Sequence, residues 1–196
     1  ISRNGDLAYR TYLQVTLPEI NQSFGGDSGL YARWLDFPGE QMISQVEVEV
    51  GGQRIDRHYG DWLHIWNQLT LTEDRKKGYS EMVGNTTQLT YMIDPDFADV
   101  DGPCDSSGGS RQVCTPRNAL PETTLYVPLQ FWFCRNPGLA LPLIALQYHE
   151  VKINVDLRPL DEVLWAVSDL NSSTGTSAKA STAYQQSLVA ASLYVD

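Results

Sequence analysis

The sequence has few cysteines, few positive charges and no long apolar run, and each of these shortages excludes a class of protein. Its 3 cysteines in 196 residues are too few for the disulfide framework of a small secreted domain or for a four-ligand zinc site. The net charge of −10, from 14 Lys and Arg against 24 Asp and Glu, argues against a surface that binds phosphate backbones. No segment approaches the ~20 apolar residues of a membrane-spanning helix, and no basic segment followed by an apolar one indicates a signal peptide.

Catalytic and metal-binding patterns are missing as well. The sequence contains no G-x-S-x-G, P-loop or dinucleotide-binding motif. The spacing of His58 and His64 does not form the i, i+4 pair of a zinc-binding helix, and we expect structural roles for them and for His149. The acidic run at 94–101 has Ala98 where the fifth position of an EF-hand loop needs a carboxylate. We therefore expect no catalytic residues, no metal site and no cofactor.

What the sequence does contain is alternation of polar and apolar residues, the pattern of β-strands. Hydrophobic residues make up 42% of the chain, which is enough for a core in one large domain or two small ones. In the segment VEVEV, Val46, Val48 and Val50 share one side and the two glutamates share the other. This segment is predicted to be a strand with one buried face.

A hairpin is predicted immediately after this strand. The glycine pair at 51–52 suits the positive φ angles of a tight turn. Such a turn would place Glu49 opposite Arg54, which is a favourable charge pair across the two strands. The same register would place Glu47 opposite Asp56, so we expect the pairing to weaken there.

Further strands are predicted from the same pattern. The segment 124–133 has apolar residues on both faces, which indicates that both faces are covered, and Pro128 indicates a bulge or an edge strand. In 141–157 the apolar residues change phase, so we expect one strand that bends near 149–150 to turn a corner of a sandwich. Shorter strands are expected within 8–17 and 187–195.

The region of about 59–84 breaks this pattern and is predicted to be a helical insertion. An apolar stripe at i, i+3, i+4 and i+7 indicates an amphipathic helix that packs against one end of a sheet, with Asp61 as its N-cap. A second helix, at about 73–83, is expected to end at Gly84. The stripe consists of Trp62, Ile65, Trp66 and Leu69.

Trp62 and Trp66 are candidate interface residues, because tryptophan is enriched at the centres of protein interfaces. Both rings would equally suit a role in capping the core of their own domain. The sequence leaves the two alternatives open. The accessibility of the rings in an isolated subunit and in an assembly would separate them.

Two segments have the composition of long surface loops, at about 94–122 and at 171–181. The first is acidic, is rich in Gly and Ser, and contains Cys104 and Cys114. These two cysteines are a candidate disulfide that would close the loop, or they are two free thiols. The sequence does not decide between these states.

Sequons of the form N-x-[ST] make Asn21, Asn85 and Asn171 candidate glycosylation sites. Sequons also arise by chance, and their number here is only a mild excess over chance. Glycosylation further requires that the protein meets the enzymes that recognise sequons.

Three segments of the chain resemble the major capsid proteins of nucleocytoplasmic large DNA viruses, a group that includes chloroviruses, iridoviruses and relatives of mimivirus. They are ISRNGDL at 1–7, VEVEVGGQRIDRHYGDW at 46–62 and LYVPLQFWFCRNPGLALPLIALQYHEVKI at 125–153. With the closing strand SLYVD, the resemblance covers nearly the whole chain apart from the 94–122 loop. It implies an all-β fold: one jelly-roll β-sandwich of two antiparallel sheets at 1–196, with a short helical insertion and long surface loops.

Family members carry two such barrels in tandem, and three copies of the subunit form a pseudo-hexagonal capsomer. The resemblance implies that this chain corresponds to the first barrel. Because the chain starts at Ile1 rather than Met and has no second barrel, we expect it to be a fragment of a two-barrel subunit. A divergent relative with a single barrel is the alternative.

The resemblance implies a structural function, as a building block of a homotrimeric capsomer in the outer shell of a virion that assembles in the host cell. The implied partners are further copies of the subunit, neighbouring capsomers and minor capsid proteins. The acidic balance argues against direct contact with nucleic acid, so an internal membrane or another protein is expected beneath the shell. The polar 94–122 loop is expected at the exterior end of the capsomer. The alternative function is a carbohydrate-binding, lectin-like jelly-roll module.

Overall fold

A computed structural model describes residues 5–20, 30–90, 120–171, 176–179 and 187–196. The strands are β1 (Leu7–Ala8), β2 (Thr11–Leu17), β3 (Leu30–Trp34), β4 (Ile43–Val50), β5 (Gln53–Tyr59), β6 (Thr123–Pro128), β7 (Leu141–Pro142), β8 (Val151–Leu157), β9 (Leu164–Asn171), β10 (Thr176–Lys179) and β11 (Ala190–Val195). The helices are α1 (Pro38–Gln41), α2 (Gly60–Thr70), α3 (Glu73–Val83), α4 (Thr87–Thr90) and α5 (Trp132–Arg135), with 3-10 turns at Pro137–Leu139 and Leu160–Glu162.

Two antiparallel sheets form the centre of the fold. The first has the strand order β11-β2-β6, and the second has the order β5-β4-β8. The other described strands form a sheet of order β10-β9-β3 and a short ladder of β1 with β7, and these pairings are antiparallel as well. The predicted all-β architecture is confirmed.

The central sheets bury their apolar faces in one core. Leu13 and Val15 of β2 are buried, and so are Leu125 and Val127 of the neighbouring β6. Leu13 lies opposite Val127 and Val15 opposite Leu125, so the inward faces of the two strands are in register. From the second sheet, β4 contributes buried valines to the same cluster. Burial of one such side chain contributes about 1.5–3 kcal/mol, so the alternation in the sequence is what drives the sheets together.

The β4–β5 hairpin turns at the predicted glycine pair 51–52, where both φ angles are positive. Glu49 pairs with Arg54 as predicted, but a bulge follows and shifts the register. Glu47 consequently lies opposite Arg57 instead of the predicted aspartate. Its carboxylate lies 3.0 Å from the guanidinium of Arg54 and 3.5 Å from that of Arg57. The extra residue in β5 therefore replaces a repulsive pair with two attractive ones.

The segment 124–133 is only partly a strand, because β6 ends at Pro128 and α5 begins at Trp132. Its alternate apolar residues nevertheless face the core: Leu125, Val127, Leu129, Phe131 and Phe133 are all at most 1% exposed. The opposite face is not covered as expected, since Tyr126 is 43% exposed. Among the strands that the structure describes, β6 is at the edge of its sheet, where a proline is accommodated.

The bent strand predicted at 141–157 is instead two strands separated by turns. β7 ends at Pro142, turns occupy 143–148, and β8 begins at Val151. The change of phase in the apolar pattern therefore marks a change of local structure and not a bend. Ile144 and Tyr148, which the bend would have brought to the core, are 65% and 88% exposed.

The two predicted loops lie largely outside the described residues. Of 94–122, the structure describes only 120–122, so the position of this loop stays a prediction. Of 171–181, Thr176–Lys179 forms β10 and pairs with β9. The prediction of a continuous loop was therefore wrong at this point, because the backbone of 176–179 pairs with that of β9.

The helical insertion has the predicted second helix but not the predicted cap of the first. α3 spans Glu73–Val83 and ends at Gly84, where φ is 83°. Asp61 is not the N-cap of α2, because that position is occupied by Tyr59, which makes no side-chain cap hydrogen bond. Asp61 lies instead in the first turn, where a carboxylate still interacts favourably with the free N–H groups of the helix end.

Candidate subunit interface

A buried carboxylate holds α1, α2 and α3 together. Glu40 of α1 is 1% exposed. Its Oε1 accepts hydrogen bonds from Nδ2 of Asn67, at 3.2 Å, and from the hydroxyl of Tyr79. Its Oε2 lies 2.6 Å from Nδ1 of His64. Because two of these partners lie on α2 and one on α3, a single side chain links the three helices, and without such partners the buried carboxylate would cost several kcal/mol.

Tyr79 remains protonated within this network. Burial is the main cause that raises the pKa of Tyr79 well above its ordinary value of 10.0, and the charge of Glu40 and the hydrogen bond to it raise that pKa further. The hydroxyl can therefore donate to Glu40 while it accepts a hydrogen bond of 2.6 Å from Asn67. These hydrogen bonds hold α2 against α1 and α3.

Helix α2 turns its predicted apolar stripe outward. The residues that α2 buries are Gly60, Leu63 and Asn67. Of the stripe, Trp62 is 38% exposed, Ile65 is 50% exposed and Leu69 is 79% exposed. The stripe is therefore largely exposed, because the helix docks through the face that carries Leu63 and Asn67. A contiguous apolar stripe on the surface of a domain is typical of an interaction site.

Trp62 and Trp66 lie side by side on this surface. Their ring centroids are 5.9 Å apart and their planes are tilted by 38°. The guanidinium of Arg135, from α5, lies over the Trp66 ring at 4.4 Å from its centroid. This cation–π contact orients the Trp66 ring against the sandwich. We call the surface formed by Trp62, Ile65, Trp66, Leu69 and Arg135 the tryptophan face.

A second buried titratable group lies beside the core. His58 of β5 is 5% exposed, and neither ring nitrogen has a hydrogen-bond partner within the described part of the chain. Its ring makes an edge contact with Phe131, with centroids 4.7 Å apart. Burial lowers the pKa of His58 from 6.5 to about 4, a change that Asp56 opposes and Arg135 reinforces.

We expect His58 to make the stability of the domain depend on pH. The pKa of His58 is about 4 in the folded state and 6.5 in the unfolded chain, so the unfolded chain binds the proton more tightly. The free energy of unfolding therefore decreases as the pH falls from 6.5 toward 4. Because each unit of difference between the two pKa values is worth 1.36 kcal/mol, the complete loss is about 3 kcal/mol. Urea unfolding across this range measures the loss. His58→Gln should flatten the pH dependence, and an unchanged slope in that variant would contradict the assignment.

The candidate glycosylation sites have separate outcomes. Asn21 lies outside the described residues, and Asn171 is the last residue of β9. Asn85 follows α3 and is half-buried, and its Oδ1 accepts a hydrogen bond of 3.3 Å from the backbone N–H of Phe37. Asn85 therefore connects the end of α3 to the start of α1. Glycosylation of any of the three stays a prediction.

The cysteines offer no reactive group within the described residues. Cys104 and Cys114 lie outside them, so their disulfide stays a prediction. Cys134 is a free thiol whose Sγ lies 3.3 Å from Oγ1 of Thr11. Burial raises the pKa of Cys134, and a thiol with a raised pKa is a poor nucleophile. Cys134 contributes to packing.

Within the residues that the structure describes, no group of three or more His, Cys, Asp and Glu side chains is placed to hold a metal ion. None of the described helices combines the length and the hydropathy that crossing a membrane requires.

The residues that organise the tryptophan face were not identified from the sequence. Glu40 and Tyr79 are separated by 39 positions, and neither lies in a periodic apolar pattern that would mark it as buried. The contact of Arg135 with Trp66 joins two helices that are remote in the sequence. The one available signal was the Pro38–Gly39 dipeptide before Glu40, which is typical of a turn or a helix start.

Comparison with known proteins places the chain among viral coat proteins. The whole chain, 1–196, matches a family described as the N-terminus of the major capsid protein. It is 73% identical over 196 residues to the major capsid protein of Phaeocystis pouchetii virus, in an alignment that covers 100% of this chain and 37% of that protein. It is 67% identical to the major capsid protein of Chrysochromulina ericina virus, over 100% of this chain and 38% of that protein. The chain thus spans less than half the length of these relatives.

Similar solved structures show the same architecture. A chain of the quasi-atomic PBCV-1 virus capsid has a TM-score of 0.53 at 31% identity, covering 80% of this chain and 29% of that one. The Faustovirus major capsid protein has a TM-score of 0.56 at 15% identity, covering 92% of this chain and 44% of that one, and it supports the fold alone. The predicted jelly-roll sandwich is thereby confirmed. Because the family match extends over every residue and a relative shares 73% of them, this chain belongs to the major capsid protein family and corresponds to its N-terminal region.

Proposed function

We propose that this domain is a structural building block of a viral shell, as part of a trimeric, pseudo-hexagonal capsomer in an icosahedral capsid. The observation that carries the proposal is the 73% identity to a major capsid protein along the entire chain. In this role the protein has no reaction to catalyse, and its function is cohesion between rigid sandwiches. The comparisons give no support to the carbohydrate-binding alternative.

The tryptophan face is proposed to contact a neighbouring copy of the subunit. Trp and Arg are the residue types most enriched at interface hot spots, and this face contains both. The face carries one cation and no carboxylate, on a chain whose net charge is −10. Two copies with this charge would repel each other over most of their surface. Electrostatic repulsion is weakest at the apolar stripe, so contact between copies is most favourable there.

The complete capsid polypeptide that carries this domain allows a direct test. Replacing Trp62 and Leu69 together with serine is expected to weaken trimer association by about 30-fold or more, since a single hot-spot residue contributes about 2 kcal/mol. Sedimentation velocity measures the trimer fraction against concentration. Urea unfolding of the dissociated subunit should change little, because both side chains are exposed in the domain.

Ile55→Ser is the matched control for this experiment. Ile55 is 51% exposed on β5 and lies outside the tryptophan face, so its replacement should leave the trimer fraction unchanged. An unchanged trimer in the double variant would contradict the proposed contact between copies. A stable trimer combined with a destabilised subunit would instead show that the face packs against another part of the same polypeptide.

We also propose that this domain is one of two barrels in a longer subunit. The chain covers only 37% of its relative from Phaeocystis pouchetii virus, which leaves room for a second barrel of this size. In addition, a groove of about 900 Å³ runs between the edges of β8 and β11, at 151–154 and 193–196. Among the described strands, neither β8 nor β11 has a neighbour on that side, and a strand of the longer subunit is proposed to extend a sheet there. A density map of the assembled particle with this groove empty would contradict the proposed extension.

The remaining partners are proposed on charge and on the resemblance. Neighbouring capsomers and minor capsid proteins would contact the sides and base of the capsomer. The acidic balance disfavours contact with the genome, so an internal membrane or another protein is proposed beneath the shell. Cross-linking of intact particles followed by mass spectrometry would identify the neighbours, and abundant cross-links from this domain to nucleic acid would contradict the arrangement.

A further inference from the structure

Two ring contacts join α5 to the strand and helix that carry the tryptophan face. His58, next to the last residue of β5, makes an edge contact with Phe131, the N-cap residue of α5, with ring centroids 4.7 Å apart. The ring of Trp66, on α2, lies under the guanidinium of Arg135, at 4.4 Å. We call these two contacts, His58 with Phe131 and Trp66 with Arg135, the α5 seam.

Strand β5 continues directly into α2. Tyr59 ends the strand and Gly60 begins the helix. Among the described strands, β5 lies at the edge of its sheet and pairs with β4. A movement of the end of β5 away from α5 would therefore carry the start of α2 with it. Such a movement would also separate Trp66 from Arg135.

The closed seam gives His58 no stable place for a positive charge. Both ring nitrogens are buried, and neither has a hydrogen-bond partner in the part of the chain that the structure describes. The ring contacts Phe131, and the residue opposite His58 on β4 is the buried Val46. Asp56, on the same strand as His58, favours the protonated ring, and Arg135, across the seam, opposes it. Protonation in place would put an unsolvated cation beside a second cation, which is costly.

The other titratable groups of α2 and α5 have different partners. His64 of α2 contacts Glu40, and protonation of His64 would strengthen this contact by making it an ion pair. Asp61 pairs with Arg158 at the start of α2, and Cys134 of α5 contacts the start of β2. The two arginines of β5 pair with a glutamate of β4. A weakening of the seam in acid is therefore assigned to His58.

We propose that the α5 seam is a pH switch: protonation of His58 moves the end of β5 and α2 away from α5 and frees Trp66 from Arg135, while β2 remains paired with β6. Opening of the seam lets water solvate the charged ring. The pKa of His58 is about 4 in the closed seam and 6.5 for a free imidazole, so a falling pH favours the open state. An open seam no longer fixes the tryptophan face. The consequence for assembly rests on the proposed function, whereas the switch itself is a property of one subunit.

Hydrogen exchange of the complete capsid polypeptide, at concentrations where subunits are dissociated, measures the switch. After correction for intrinsic exchange rates, the protection of α2 amides should fall about 30-fold from pH 7.5 to pH 5, because pH 5 lies about 1.5 units below 6.5. At both pH values α2 should be less protected than β2 and β6 and should respond little to low urea concentrations, since local opening requires less free energy than unfolding. Exchange of α2 only together with β2 and β6 would overturn the proposal, and so would protection of α2 that does not depend on pH.

Variants assign the response to one side chain. His58→Phe keeps an aromatic ring against Phe131 but cannot bind a proton, so the 30-fold fall in α2 protection should disappear. His58→Gln is a second variant that does not titrate in this range, in case the first does not fold. His64→Gln is the matched control, because it removes the histidine of α2 and should retain the fall. A full response in the variants of His58, or its loss in His64→Gln, would overturn the assignment.

The trimer separates failure of the switch from failure of the contact between copies. If the tryptophan face joins copies, the trimer holds the seam closed, so α2 should be more protected in the trimer than in the dissociated subunit at pH 5. A pH response in the subunit without added protection in the trimer would contradict the contact and leave the switch established. Absence of the response in the subunit would overturn the switch, whatever the trimer shows.

Discussion

Replacing Gly60 with alanine is expected to destabilise the domain by about 3 kcal/mol or more, at the upper end of the cost of overpacking. A Cβ at this position would lie 2.3 Å from the backbone oxygen of Glu40 and 2.5 Å from that of Ile43. Neither oxygen belongs to a side chain that could rotate away, so α2 would have to move from its place on α1 and β4. That movement would also stretch the hydrogen bonds that join Glu40 to α2. The midpoint of urea unfolding measures the effect.

Gly78→Ala is the matched control for Gly60→Ala. Gly78 lies inside α3, and a Cβ there would meet no atom within 4 Å. Alanine should therefore stabilise the domain, by up to about 1 kcal/mol, because glycine is the poorer helix former by that amount. Alanine should thus lower the free energy of unfolding at Gly60 and raise it at Gly78, although both glycines lie in helices. A small effect at Gly60 would mean that the junction of α1, α2 and β4 can rearrange at little cost.

Replacing Glu40 with alanine is expected to cost about 3–5 kcal/mol, the usual loss when one partner of a buried charged network is removed. The variant would leave the hydroxyl of Tyr79 and the amide of Asn67 without the acceptor they share. Glu40→Gln should cost less, because an amide oxygen still accepts from both donors. Chemical unfolding of the two variants separates the loss of hydrogen bonds from the loss of charge.

Glu73→Ala provides the comparison for Glu40→Ala. Glu73 accepts a hydrogen bond of 2.7 Å from Lys76, but its side chain is 88% exposed, and exposed ion pairs contribute little to stability. If the capsid role is correct, Glu40→Ala should also reduce trimer formation, because the network orients the helix that carries the tryptophan face. A variant at Glu40 that unfolds at the unmodified midpoint would show that the network is not a structural link.

Local features of the fold were predictable because neighbouring residues determine them. The glycine pair at 51–52 specifies a turn through its positive φ angles, and Gly84 ends α3 for the same reason. The apolar alternation in β2 and β6 predicts which side chains are buried, because side chains in a strand point to alternate faces. Family membership followed from long ordered motifs that the comparisons confirm.

Features that depend on residues far apart in the sequence were not predictable in this way. The bulge in β5 brings two arginines within ion-pair distance of Glu47. A regular hairpin register, which is all that the sequence predicts, would not bring them there. The sequence left the orientation of α2 open, because hydrophobicity alone does not reveal that a buried carboxylate from α1 recruits Asn67 and His64.

By itself, the amino-acid sequence determined the class of this protein: an acidic, strand-rich chain without catalytic motifs, whose motifs identify a capsid family. Strand alternation and glycine turns are local, so they can be read without knowledge of the fold. Only the tertiary structure decided which face of the aromatic helix is exposed and how Glu40 joins three helices. These depend on side chains brought together from distant segments, and the energy of each contact depends on burial that the sequence alone does not specify.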